Sequence, residues 1–158
     1  MGTIRRATSA DQQYLGDLAA ESFAVYGDDY GLMIPAYARD ARVITLLYEE
    51  NRLPVGFIQV GFLEAPGNRR DLIADILAVA VAPGHQARGC GTALFQRVFE
   101  LLRPMRERGT VTDVQLTVAD TNGRATQLFR RLGFAVLDQE YGTYEGNQKA
   151  IRMSLGPL

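Results

Sequence analysis

Residues 74–102 read ADILAVAVAPGHQARGCGTALFQRVFELL. An apolar run rich in Val, Ile and Leu passes Pro83, meets two closely spaced glycines, Gly89 and Gly91, and gives way to a helical repeat of Leu94, Val98, Leu101 and Leu102 that continues to Met105. A near-continuous apolar run is the pattern of a central strand covered on both faces. The repeat predicts an amphipathic helix over residues 89–107. A turn needs one glycine and a packed core needs none, so two glycines at this junction predict something lying close against bare backbone. A helix N-terminus offers unpaired N–H groups and a partial positive charge, which stabilise an anion. The spacing Gln86-x-x-Gly89-x-Gly91 therefore reads as a diphosphate cradle, with Arg88 as a charged donor beside it; a tight turn with glycines for geometry alone is the other reading. Two commoner phosphate loops are excluded. A dinucleotide fingerprint needs a third glycine where Leu94 stands, and a P-loop needs a lysine where Gly91 runs directly into Thr92.

Working outward, TIRRA (Thr3 to Ala7) reads as an edge strand, and Ser9 with Gln12 as a capping box. Leu15, Leu18, Ala19, Ser22 and Phe23 then predict a helix over 10–24. AVYGDDYGLM reads as a loop, followed by a short helix that starts at Pro35. RVITLLYEE and PVGFIQVGFLE form a predicted hairpin through Asn51, Arg52 and Leu53, and EAPGNRRD a polar turn into the central strand. Downstream, a strand over about Val114 to Val118 precedes NGRATQLFRRLGF, whose Ala125, Leu128, Phe129 and Leu132 share a helical face that stops at Gly133. Phe134 to Glu140 and Lys149 to Leu155 close the chain as two strands around YGTYEGN. The order β-α-α-β-β-β-α-β-α-β-β is a single α/β domain of mixed strand direction.

Composition narrows the class. An apolar fraction of 47% with 22% charged residues is that of an ordinary globular protein. Seventeen basic against eighteen acidic residues give no bulk pull toward nucleic acid or an anionic membrane. The arginines at 103, 106 and 108 and at 124, 130 and 131 read as solvated helix faces without interleaved aromatics, so no nucleic-acid partner is expected. The longest apolar run, Ile76 to Ala82, is far short of the roughly 20 residues of a membrane span. A single cysteine, Cys90, forms no internal disulfide and no leader pattern opens the chain, which predicts a cytoplasmic protein. One cysteine and one histidine, His85, make no zinc site of the usual kind, and no metal is expected.

The segment 74–102 resembles the acetyl-CoA motif of the GNAT superfamily of N-acetyltransferases. NGRATQLFRRLGF is similar to that family's second signature: an Asn, an Ala three residues on, an aromatic, then Leu-Gly-Phe. The resemblance implies the GNAT fold, a mixed and largely antiparallel sheet of about six or seven strands with about four helices around it. In that fold the fourth and fifth strands splay, and the pantetheine arm of acetyl-CoA pairs with the fourth almost as an added strand. Carried over, Val79, Ala80 and Val81 would bind pantetheine. The amides of Gln86, Ala87, Arg88, Gly89, Cys90, Gly91 and Thr92 would bind the pyrophosphate, and Asn122, also an N-cap by its own reading, and Phe129 would lie near the arm. The implied activity is direct transfer of an acetyl group from acetyl-CoA to a primary amine, on a small molecule or a peptide. A non-catalytic acyl-CoA sensor or scaffold is the alternative, and the family's frequent dimers make a homodimer a candidate state.

Acetyl transfer needs a neutral nucleophile, a donor to the developing oxyanion and a proton for the thiolate. Asp75, a carboxylate in an apolar strand, is the candidate base: burial raises a carboxyl pKa toward the useful range, and the resemblance aligns it with a base glutamate of the histone-acetylating branch. Its other reading is a strand-end aspartate at the surface or paired with Arg69 or Arg70. The backbone N–H of Val81 or a neighbour would polarise the thioester. Where many relatives carry a proton-donating tyrosine, this chain has Phe129, so either Tyr141 or Tyr144 serves or the thiolate leaves unassisted, a thiol pKa of about 8.5 making that tolerable. His85 reads as an exposed loop histidine, and Cys90 as a small packing residue that could pair with coenzyme A thiol if exposed. The acceptor would lie between the early helices and the closing strands, where Glu21, Asp28, Asp29, Glu140 and Glu145 either favour a cationic amine or are solvated carboxylates.

Overall fold

The computed structural model describes residues 2–156, apart from the side chain of Arg69. Seven strands and four α-helices follow one another in the order read from the sequence: β1 (Thr3–Arg6), α1 (Gln12–Phe23), α2 (Tyr30–Ala38), β2 (Ile44–Glu50), β3 (Leu53–Ala65), β4 (Asn68–Val81), α3 (Cys90–Glu107), β5 (Val111–Ala119), α4 (Gly123–Arg131), β6 (Ala135–Thr143) and β7 (Lys149–Ser154). They form one sheet of order β1-β2-β3-β4-β5-β7-β6. Every pairing is antiparallel except β4 with β5, which the α3 crossover makes parallel. The β2–β3 hairpin closes through Asn51 and Arg52, both at positive φ (52° and 65°), as a two-residue turn of this twist requires.

Two helix starts differ from the sequence reading. The capping pair is Thr8 with Asp11, not Ser9 with Gln12: Ala10 N–H donates to Thr8 Oγ1 (3.3 Å) and Thr8 N–H to Asp11 Oδ2 (2.7 Å). Asp11 is fixed there because Arg5 on β1 donates to both of its oxygens at 2.9 Å. The second helix starts at Tyr30, so Pro35 lies inside it rather than at its first position. Proline removes the N–H that would bond the Gly31 carbonyl. The same carbonyl is where α1 comes closest: a Cβ on Gly16 would stand 2.9 Å from it. Gly16 and Gly31 are a close helix crossing, and not a loop signal.

Core residues fall on the two faces of the sheet. Leu94, Phe95, Val98 and Leu102 of α3 and Phe129 of α4 pack on Ile58, Val60, Ala74, Ile76 and Leu116. On the other face Leu15, Leu18, Ala19 and Ile34 from α1 and α2 pack on Leu47, Phe57, Ala78 and Ala80. Within β4 the inward face therefore changes between Ile76 and Ala78. The cause is a β-bulge: Val60 pairs with Ile76 and Gln59 with Ala78, leaving Leu77 without a partner on β3. A bulge bends its strand and steepens the local twist. At this point β4 and β5 part company, their pairing ending at Ile76 and Leu116 although the strands run on to Val81 and Ala119.

Candidate active site

The parted strands open a cleft that passes through the sheet. Its walls are Ile76 to Val79 of β4 and Leu116 to Ala119 of β5. At one end stand Asn122, Ala125 and Phe129 around α4, and at the other Phe23, Tyr26, Tyr30 and Tyr144, contributed by α1, α2, the loop between them and the β6–β7 turn. The backbone of β4 is free along this opening. Ala82 N–H donates to the Val55 carbonyl at 2.8 Å, which fixes the antiparallel alternation: Phe57 and Ala80 exchange hydrogen bonds, while Val79 and Val81 sit in the intervening pairs and turn their N–H and C=O away from β3. Of the three strand residues expected at pantetheine, Val79 and Val81 thus face the opening, whereas the amide and carbonyl of Ala80 are committed to Phe57. Val79 also lines the cleft itself.

Beyond β4 the chain turns into α3. Among the described residues no backbone N–H from Gln86 to Thr92 makes a close backbone hydrogen bond and no side chain caps the helix, although the turn at Gln86 and Ala87 brings the Arg88 N–H toward the His85 carbonyl. Gly89, the N-cap residue, has φ 84° and Ala87 φ 62°, and a Cβ on Gly89 would meet nothing within 4 Å. Such a run of free amides in a partly left-handed turn at a helix N-terminus is an anion nest. Gly91 differs, since a Cβ there would meet Leu128 at 3.4 Å, and its smallness serves the approach of α4 to α3.

Side chains brace this turn from both sides. Gln86 donates through Nε2 to the Val81 carbonyl (3.0 Å) and accepts through Oε1 from Arg124 Nη1 (3.0 Å). Below it, Glu50 at the end of β2 lies 3.4 Å from His85 Nδ1 and 3.7 Å from Arg88 Nη1. His85 is therefore half-buried against a carboxylate and not an open loop histidine. Cys90 is buried, its thiol 3.9 Å from Glu50 Oε1. Burial, with the Glu50 charge adding to it, pushes that thiol above its usual range. Only the Cys90 amide is available to a ligand, and a buried thiol does not support pairing with coenzyme A.

Asp75 lies on the α1/α2 face of β4 but is not in the cleft wall. Its partner among the described residues is not Arg70 but Arg152 on β7: Arg152 Nη1 donates to Asp75 Oδ1 at 2.8 Å; the Arg69 side chain lies outside the described residues. The same guanidinium, 4% exposed, donates to Gln115 Oε1 and Thr117 Oγ1, each at 3.0 Å. Thr117 lines the cleft, so the network Asp75–Arg152–Thr117 joins the carboxylate to it indirectly. Tyr141 stacks on the outer side of Arg152, 5.2 Å from Cζ to ring centroid, in a second groove with Leu63, Ile73 and Leu137. Tyr144 lies in the cleft with Phe129. Desolvation, with smaller contributions from Tyr30 and Tyr26, pushes its phenol up to about 12, which keeps the O–H intact at neutral pH. Phe129 packs edge-to-face with Phe95 and Phe134, at 5.6 and 6.3 Å, and brings no hydroxyl to the cleft it lines. Asn122 combines two duties, capping α4 through Ala125 N–H (3.3 Å) and lining the cleft.

Glu50, Thr117, Arg124 and Arg152 were not singled out for this site by the sequence. Arg124 had one usable signal, its place directly after the N-cap Asn122 and Gly123, where a helix start points back at the phosphate turn. The others depend on sheet order.

The comparisons agree with this architecture. Residues 11–134 match the family model for the acetyltransferase (GNAT) family. The chain belongs to that family, one of acetyl-CoA-dependent acyltransferases. Streptothricin acetyltransferase of Streptomyces lavendulae is 33% identical over 104 residues, 63% of this chain and 50% of that protein. The match thus spans half the length of the curated relative. Among solved structures, Arabidopsis thaliana NAA60 in complex with a bisubstrate analogue superposes with a TM-score of 0.78 at 14% identity, covering 98% of each chain. Salmonella typhimurium yncA with acetyl-CoA gives 0.75 at 24% identity, over 99% of this chain and 94% of that one. At those identities the two structures establish the fold. Among the described residues no helix is long and apolar enough to cross a membrane.

Proposed function

We propose that this protein transfers the acetyl group of acetyl-CoA directly to a primary amine, with both substrates held at once from opposite faces of the sheet. The observation that carries the reading is the opening between β4 and β5, flanked on one side by free backbone and an anion nest and on the other by a separate aromatic mouth. The residues present fit acetyl-CoA. The N–H and C=O of Val79 and the N–H of Val81, whose carbonyl is taken by Gln86, would hold the pantetheine arm, the amides from Gln86 to Thr92 the pyrophosphate, and Arg88 and Arg124 stand beside that turn to add charged donors. Acetyl-CoA supplies an acetyl group already activated as a thioester. Val79 N–H is the better placed of the two strand donors to polarise it, because Val79 lines the cleft and Val81 does not. Tyr144, in the cleft with its proton in place, serves the departing thiolate where Phe129 has no hydroxyl. Asp75 acts as the counter-ion that fixes Arg152, and through it Thr117, while the amine gives its proton to water.

The test is thermal unfolding with acetyl-CoA and, separately, with adenosine 3′,5′-bisphosphate. A ligand at one hundred times its Kd stabilises by about 2.7 kcal/mol. Acetyl-CoA is expected to raise the melting midpoint, and Arg88→Glu, which turns an exposed donor beside the nest into a carboxylate, is expected to shrink the rise. No shift with millimolar acetyl-CoA would refute the reading. Phe129 supports one second reading, an acyl-CoA-binding module without turnover; a melting shift with no thiol release across a panel of amines would establish it.

A further inference from the structure

We infer that the acceptor is an amine carrying a second positive centre, held against the aromatic mouth of the cleft; this rests on the acetyl-transfer reading above. Four rings wall the mouth: Phe23 packs on Tyr30 with centroids 5.3 Å apart, and Tyr26 on Tyr144 at 5.2 Å. The two halves of this wall are tied together, since Gln148 Nε2 donates to the Val25 carbonyl at 2.8 Å and Gly146 N–H to that of Tyr26 at 3.4 Å. Glu145, carried on the same turn, places its carboxylate beside Gly27, with Oε2 3.0 Å from where a Cβ on Gly27 would be. Its charge also reaches the Tyr30 phenol, which it helps to push upward after burial.

The segment that supplies three of the four rings carries charge of one sign, and Glu145 adds the same sign beside Gly27. From Ala7 to Ala38 the chain holds Asp11, Asp17, Glu21, Asp28 and Asp29 and no lysine or arginine. Arg5 neutralises Asp11. Asp17, Glu21, Asp28, Asp29 and Glu145 have no ion-pair partner among the described residues, and no lysine or arginine lines the cleft. The chain as a whole is nearly neutral, so the asymmetry is local. An anionic acceptor is repelled by such a mouth, and a neutral one makes no use of it. The reacting nitrogen must itself shed its proton before it attacks, so it is not the charge these groups recognise. What they fit is a second ammonium on the same molecule, desolvated against ring faces with Glu145 as its counter-charge.

The experiment compares diaminobutane with butylamine, matched in chain length, by coenzyme A thiol release. The expected result is a kcat/KM for the diamine about tenfold or more above that for the monoamine, the size of a partly desolvated cation–π contact with a counter-charge. The preference should shrink in high salt and narrow in Glu145→Gln and in Tyr26→Leu. Acetyl-CoA should still raise the melting midpoint of Glu145→Gln, as evidence that the fold and the thioester side are intact. Equal kcat/KM for the two amines, or a preference that Glu145→Gln leaves untouched, would overturn the inference while leaving acetyl transfer in place. So would turnover of neither amine with acetyl-CoA binding retained. Loss of the acetyl-CoA shift in the parent protein is the separate result that strikes the underlying reading.

Discussion

Replacing Asp75 by Asn separates two roles for the carboxylate that Arg152 binds. As a general base its loss should cost about 10²–10⁴ in rate. As the counter-ion of Arg152 its loss should appear mainly in stability. Asn keeps an oxygen where Arg152 Nη1 now donates at 2.8 Å, and the bonds to Gln115 and Thr117 survive, so the change removes the charge from one bond of a buried guanidinium. A hydrogen bond to a charged group contributes about 1.5–3 kcal/mol. For a chain of this size that lowers the melting midpoint by roughly 3–12 °C. The expected outcome is a drop of that size with kcat within about tenfold of the parent, read by initial rates of thiol release at saturating acetyl-CoA across neutral to mildly alkaline pH. Arg152→Met provides the control: stripping Asp75, Gln115 and Thr117 of a shared buried partner should cost about 3–5 kcal/mol. A loss of a hundredfold or more in kcat for Asp75→Asn, with its melting midpoint unchanged, would refute the counter-ion assignment and restore the base.

Two further outcomes are expected. Tyr144→Phe should lower kcat by about 10–100-fold with little change in the KM for acetyl-CoA, and adding Phe129→Tyr should recover much of it by placing a hydroxyl elsewhere in the same cleft; a fully active Tyr144→Phe enzyme would remove Tyr144 from the chemistry. At Asp11, the hydrogen bonds from Arg5, followed by the Thr8 N–H, hold the carboxyl at about 2 against an ordinary 3.8. A depressed folded pKa stabilises above the unfolded value and is lost as pH falls through the folded one. Asp11→Asn should therefore cost about 1–2 kcal/mol at neutral pH, discounted for the solvent exposure of Arg5, and denaturant melts should show the gap closing between pH 3.8 and 2.

Periodicity and punctuation made the order of strands and helices legible, because most of them bury a face whose repeat is local; α2, whose first four residues read as loop, and β6, exposed along its whole length, are the exceptions. What escaped depends on distance along the chain. Arg69 and Arg70 were the arginines nearest Asp75 in sequence, yet its partner sits 77 residues away on β7, reaching across β5. No neighbourhood rule finds that pairing without the strand order. Tyr141 and Tyr144 looked equivalent as hydroxyls beside one turn, but three residues of a hairpin separate an exposed ring over Arg152 from a ring in the cleft. Gly27 is a loop residue as read, but Gly31 read as a second loop signal because a helix crossing that needs a bare Cα looks, in one dimension, like a break. The nest was visible since its glycines and the strand before it are contiguous; Arg124 and Glu50 were not, because they reach it from other elements.

The two sides of the cleft are written in different alphabets. In the proposed function acetyl-CoA would be met almost wholly by main chain, by the amides of Val79, Val81 and the turn from Gln86 to Thr92, and main chain has no residue identity. The opposite mouth is made of side chains on two helices, a loop and a hairpin turn, none of which carries the bulge or the nest. Substitutions at Phe23, Tyr26, Tyr30 or Glu145 can therefore redraw which amine is received without touching how the acyl donor is held. For an engineer, and for descent with modification, that makes the acceptor the freely editable half of this molecule and the donor the half that only a change of backbone can rewrite.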